Sequence, residues 1–139
     1  MINYYKIKES SEIEPQLQGK GLRKCLFILS DSDYEEGKTK LEEIMKAVKL
    51  DKNKDILLWL TDAIELSALL NVINEYGVQT ITSFGFDISK IYKNMVIQEY
   101  KILYMEELTW LPAPSLMQVL SSRDEKMKLW KALQSLFLK

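Results

Sequence analysis

Leu111-Pro-Ala-Pro-Ser-Leu-Met-Gln-Val-Leu-Ser-Ser-Arg-Asp-Glu-Lys-Met-Lys-Leu-Trp130-Lys-Ala-Leu133 is the stretch whose reading decides the fold. It follows an apolar run, Ile102-Leu-Tyr-Met105, inside a segment Tyr100–Met105 that reads as a strand. Pro112 and Pro114 then break the backbone, since proline fixes φ and removes a donor. A short helix with Leu116, Val119 and Leu120 on one face follows. Ser122-x-x-Glu125 is a capping-box pattern that starts a final helix. Its apolar stripe is Met127, Leu129, Trp130, Leu133, Leu136 and Phe137. Strand, proline turn, helix, helix is an ending that closes a sheet, and Trp130 reads as part of the core beneath it.

Working outward, three more strands precede this one. Cys25-Leu-Phe-Ile-Leu29 is a continuous apolar run, as expected of a strand buried on both faces. Asp55-Ile-Leu-Leu-Trp-Leu-Thr61 is a second, and the β-branched segment Val78–Phe84 a third. Between the first two, Ser30–Gly37 reads as a loop. Thr39-x-x-Glu42 is a capping box, with Leu41, Ile44, Met45 and Val48 along one helical face. Between the next two, Asp62-x-x-Glu65 precedes a stripe of Leu66, Leu69, Leu70 and Ile73 that ends at Gly77. Strands alternating with helices predict an α/β fold, with four parallel strands and helices on both faces. Met1–Leu22 reads as an N-terminal arm, with Asn3–Ile7 a short strand or helix. Residues 23–139 form one domain. Tyr92–Ile97 is open between a short helix and an extended segment.

Composition excludes several classes of function. The chain has 139 residues and a net charge of −1 from 19 basic and 20 acidic side chains. No general electrostatic drive pulls it toward nucleic acid or anionic lipid. Lys20/Arg23/Lys24 and Lys126/Lys128/Lys131 read as solvated faces. Cys25 is the one cysteine, so disulfides and cysteine-based zinc sites within the chain are excluded, and it reads as a buried thiol. There is no histidine, which removes Ser/His/Asp and Cys/His catalysis and the commonest metal ligand. No apolar run approaches the ~20 residues of a membrane span, and no signal-peptide core is visible, so the expected location is the cytoplasm.

In parallel α/β folds ligands gather at the C-terminal ends of strands. The first such place, Ser30-Asp-Ser-Asp-Tyr-Glu-Glu-Gly37, carries Asp31, Asp33, Glu35 and Glu36. Carboxylates there could hold a magnesium ion or act as a general base, but aspartate is also a favoured turn residue and helix cap, and the cluster reads as the latter. Gly19-Lys-Gly21 precedes its strand, so it is not a phosphate-cradling loop. No cofactor or metal is expected.

Pro114-Ser-Leu116, then Lys126, then Leu129-Trp130 and Leu133, resembles the C-terminal signature of the psi subunit family of bacterial DNA polymerase III. Leu41–Ala47 and Asp55–Thr61 look like that family's first helix and second strand, so the resemblance runs from Cys25 to Leu136. It implies a three-layer α/β/α fold with a four-stranded parallel sheet, similar to uracil-DNA glycosylases. In those enzymes Gly-Gln-Asp-Pro-Tyr-His follows the first strand and His-Pro-Ser-Pro the last. Here Ser30, Asp31, Ser32, Asp33 and Tyr34 follow Leu29. Tyr34 fits, but Ser32 stands at the aspartate position and Glu35 at a histidine position. Pro114 and Ser115 keep the Pro-Ser of the second motif without its histidine. The resemblance thus implies a vestigial cleft and a non-catalytic replication adaptor. Its partners would be clamp-loader subunits, reached through the N-terminal arm, and a chi-like subunit that contacts single-stranded-DNA-binding protein. DNA contact would be indirect. Two alternatives stay open: a divergent uracil-DNA glycosylase-like hydrolase using Asp31 or Asp33, and an interaction module with a different partner set.

Overall fold

A computed structural model describes residues 17–90, 96–105 and 107–138. The expectations for Asn3–Ile7, for the first part of the arm and for most of Tyr92–Ile97 lie outside the described residues. Among the described residues the elements run as follows. Strand β1 is Leu17–Gln18, β2 Cys25–Leu29, β3 Ile56–Leu60 and β4 Thr80–Phe84. Strand β5 is Leu103–Tyr104 and β6 Thr109–Ala113. Helix α1 is Asp31–Ala47, α2 Leu66–Tyr76, α3 Leu116–Leu120 and α4 Arg123–Phe137.

The strands make one mixed six-stranded sheet in the order β1-β3-β2-β4-β6-β5. This corrects the expectation of a four-stranded, all-parallel sheet. Four strands, β3-β2-β4-β6, are parallel, and a two-residue antiparallel strand is added at each edge. The described end of the arm belongs to the sheet: Leu17 and Gln18 pair with Trp59 and Leu58. Lys20, Gly21 and Leu22 donate backbone bonds to Asn53, Ile56 and Lys54.

Alternation along β2 builds the layers, because successive side chains point to opposite faces. Cys25, Phe27 and Leu29 join a core with Leu41 and Met45 of α1, Leu116 and Val119 of α3, and Leu129 and Leu133 of α4. Leu26 and Ile28 join the opposite core with Leu69 and Val72 of α2, Ile81 and Trp110. Three helices therefore cover one face and α2 the other.

The fourth parallel strand is not the one expected from sequence. Tyr100–Met105 supplies only the edge strand β5, and the parallel strand is Thr109–Ala113, through Pro112. Proline is tolerated there because of which edge its nitrogen faces. The Pro112 carbonyl accepts from Tyr100 N at 2.7 Å, on the side away from β4. A residue's N and O point to the same side of its strand, so the missing N–H also faces away from β4. There β5 has already ended, since it pairs only with Thr109 and Trp110.

Helix α1 begins at Asp31, eight residues before the expected Thr39, so Ser30–Gly37 is not a loop. The Ser30 hydroxyl accepts from Asp33 N at 3.2 Å, and Asp31 and Asp33 lie in the first turn where the helix dipole favours anions. The stripe expected on α2 is also displaced. Leu69 and Val72 are buried, whereas Leu66 and Leu70 are 44% and 45% exposed. Glu65 is the N-cap without a side-chain cap bond, because its carboxylate accepts from the Ser67 hydroxyl instead. Two expectations hold as stated: Gly77 ends α2 with φ 65°, and the Ser122 hydroxyl caps Glu125 N at 3.1 Å.

Candidate functional site

Two places on the described surface gather residues singled out by sequence. The first is the rim at the C-terminal ends of β4 and β6. A cavity of about 560 Å³ opens there, lined by Gly85, Asp87, Glu99, Pro114, Ser115 and Gln118 among others. Pro114 is buried directly after β6, and the Ser115 hydroxyl caps α3 by accepting from Gln118 N at 3.3 Å. Gly85, at φ 82°, takes a left-handed turn that brings it against Ser115. A Cβ there would stand 3.1 Å from Ser115 Cα.

The other half of the expected cleft follows β2, the neighbour of β4, at the same end of the sheet. Ser30, Asp31, Ser32 and Asp33 form the first turn of α1 and do not line this cavity. Tyr34 points into the core, and its hydroxyl accepts from Lys52 Nζ at 2.7 Å. That bond holds the Lys52 ammonium above its usual pKa, and Glu42, 3.5 Å away, adds to it. Pro114 and Ser115 thus line this cavity, whereas Ser30–Tyr34 starts helix α1. Glu35 and Glu36 are exposed on α1. Among the described residues no group of three or more acidic or cysteine side chains is placed to hold a metal ion. No described helix is long and apolar enough to cross a membrane.

The second place is a groove between α1 and α4. Helix α3 packs against both α1 and α4. Gly37 makes the first contact possible: a Cβ on it would meet Leu116 Cδ2 at 2.7 Å and Leu120 Cδ1 at 2.9 Å. The space left beside α3 is a groove of about 290 Å³. Helix α1 lines it with Lys40, Glu43, Ile44 and Ala47, and α4 with Arg123, Lys126, Met127 and Trp130. Each set falls at i, i+3, i+4, i+7, so two helical faces confront each other. Each carries two polar residues first and two apolar residues after.

Apart from Pro114, which lines the cavity after β6, the signature residues divide between core and groove. Leu116, Leu129 and Leu133 are fully buried. Lys126 and Trp130 line the groove. Trp130, expected in the core, is only partly buried and packs at the core's margin. Sequence reading missed Lys40, Glu43, Ala47 and Arg123 as groove residues. Their helical spacing was visible, but which two helices face each other is not written in either helix. Compared with known proteins, the chain matches no protein-family model, and no curated protein is a significant match to it.

Proposed function

We propose that this chain is a non-catalytic adaptor of DNA replication, resembling the psi subunit of DNA polymerase III, that docks a partner protein in the groove between α1 and α4. The observation that carries the reading is that groove: a concave surface in which the signature residues Lys126 and Trp130 meet Ile44 and Met127. Side chains needed only to fold the domain would be expected in the core, as Leu129 and Leu133 are. The four parallel strands with helices on both faces are compatible with the uracil-DNA glycosylase-like fold that the resemblance implies. The vestigial-cleft reading draws support from the local uses of its residues. Ser30 and Ser115 are helix caps, and the Tyr34 hydroxyl is engaged by Lys52. In this reading the N-terminal arm reaches the clamp loader and the domain holds a chi-like subunit.

Affinity capture with the full tagged chain, expressed in its own cells, tests the reading. Co-purification of clamp-loader subunits together with a single-stranded-DNA-binding protein is the expected result. Recovery of neither overturns it. Release of a uracil base from single-stranded DNA by the purified chain would favour the hydrolase alternative instead.

A further inference from the structure

We propose that the α1–α4 groove binds an acidic peptide segment of its partner, anchored by one apolar side chain placed over Trp130. The inference rests on the adaptor reading in taking this groove as the docking surface, and it adds the chemistry of the occupant. The floor is apolar and adaptable. Ile44, Ala47 and Met127 surround Trp130, and Met127 is 40% exposed. A flexible thioether beside an indole accommodates side chains of varied shape. The rim carries Lys40, Arg123 and Lys126 against a single carboxylate, Glu43. That local excess of positive charge sits on a chain whose net charge is −1. Among the described residues none of these three cations has an ion-pair partner. The ion pairs described engage Lys52 and Lys128 instead. An acidic segment neutralises the rim and is steered to it, while an apolar anchor supplies the affinity.

The size of the groove selects the same occupant. At about 290 Å³ it lies at the small end of ligand pockets, which run from about 300 to 1,000 Å³. It takes one anchoring side chain, with the peptide backbone passing along the charged rim. A nucleic acid is less suited. Its affinity comes chiefly from neutralising many phosphates, whereas this rim offers three cations, a carboxylate and an aliphatic floor.

The molecule supplies its own reporter. Trp59 and Trp110 are 4% and 0% exposed, so Trp130 is the tryptophan among the three that a titrant reaches. The probe is a pool of fluorescein-labelled dodecapeptides rich in Asp and Glu with one central Phe or Leu, titrated into the full chain. Anisotropy gives the affinity, and Trp130 emission with unlabelled peptide reports the site. The expected result is binding that shifts Trp130 emission and weakens about tenfold between low and high salt. The double variant Arg123→Glu/Lys126→Glu should weaken it about tenfold or more. Trp130→Ala should weaken it about 30-fold, with Trp130→Tyr recovering most of the loss. Leu70→Ser, on the opposite face, should leave binding unchanged. Thermal melts of each variant confirm folding, and the exposed Arg123 keeps the charge test independent of the core.

Each of the following results would overturn the proposal. The first is equal binding of a lysine-rich pool. The second is acidic binding indifferent to Arg123→Glu/Lys126→Glu. The third is displacement of the peptide by oligo-dT at these residues. The last is sedimentation as a dimer that Trp130→Ala dissociates, which makes a second copy the occupant. Absence of binding by the whole acidic pool would also overturn it. If replication components are still captured in that case, the inference fails alone. Peptide binding without such capture sinks the adaptor reading alone.

Discussion

Buried polar atoms at the centre of the sheet show how single side chains are placed. Ser83 and Thr82 are neighbours on β4 and both are buried. Ser83 Oγ accepts from Trp110 Nε1 at 2.8 Å, a bond that ties β4 to β6 through side chains as well as backbone. Thr82 Oγ1, on the opposite face, has no hydrogen-bond partner among the described residues. An unsatisfied buried hydroxyl retains its desolvation cost, so removing it is favourable. Thr82→Val should therefore raise stability by about 1 kcal/mol in urea unfolding. A loss of similar size would mean that the hydroxyl is bonded after all. Ser30, Ser115 and Ser122 illustrate the reverse case, where a short polar side chain finds its partner three residues on and sets a helix start.

At the scale of elements, the contact of α1 with α3 governs the shape of the functional face. Gly37 lies inside a helix, where glycine costs about 1 kcal/mol relative to alanine. What offsets that cost is close approach, because the space of its missing side chain is filled by Leu116 and Leu120. Gly37→Val should destabilise the chain by about 1–3 kcal/mol through overpacking, measured as a lower urea midpoint. It should also weaken peptide binding in the groove by moving α1, whereas a variant of unchanged stability would show that α3 has room to shift. Helix α2 presents a different problem. It leaves Leu66 and Leu70 at the surface, although their spacing matches that of Leu69 and Ile73. Helical periodicity there marks a face wider than the sheet beneath can cover.

For the whole molecule, the shifted titrations all point one way. Burial pushes the Cys25 thiol above its ordinary value. Burial, then the hydrogen bond to Glu125 at 2.7 Å, pushes up the Tyr100 hydroxyl. The Tyr34 hydroxyl does the same for the Lys52 ammonium. Each group binds its proton more tightly folded than unfolded, so the stability it contributes is complete below its unfolded pKa. That contribution is lost as pH rises through the alkaline range. The unfolded values are about 8.5 for a thiol and about 10 for tyrosine and lysine. Stability should be level near neutrality and fall from about pH 9 upward. Cys25→Ala and Tyr100→Phe should each make that fall shallower, read as urea midpoints across pH 7 to 11. A wild-type curve flat to pH 11 would contradict the assignment.

The sequence by itself determined the α/β class, the three long apolar strands, the glycine stop of α2 and the Ser122 cap of α4. These follow from local rules: apolar runs bury, β-branched segments extend, and hydroxyls or glycine satisfy helix ends. It did not reveal the edge strand Leu17–Gln18, because two residues hold no period, and it read Leu103–Tyr104 as part of a longer strand, Tyr100–Met105. It misplaced the fourth parallel strand, because Pro112 reads as a break until the chain beside it is known. It placed the start of α1 at Thr39, because Ser30-Asp-Ser-Asp suits a turn and a cap alike. Only tertiary structure decided that Ser30–Tyr34 starts helix α1 while Pro114 and Ser115 line a cavity after β6. Only it set Lys40, Ile44, Arg123 and Trp130 around one groove. Spacing along a helix names a face, but which face it meets depends on how α1, α3 and α4 pack together. That is a property of packing across distant segments, and no window of sequence contains it.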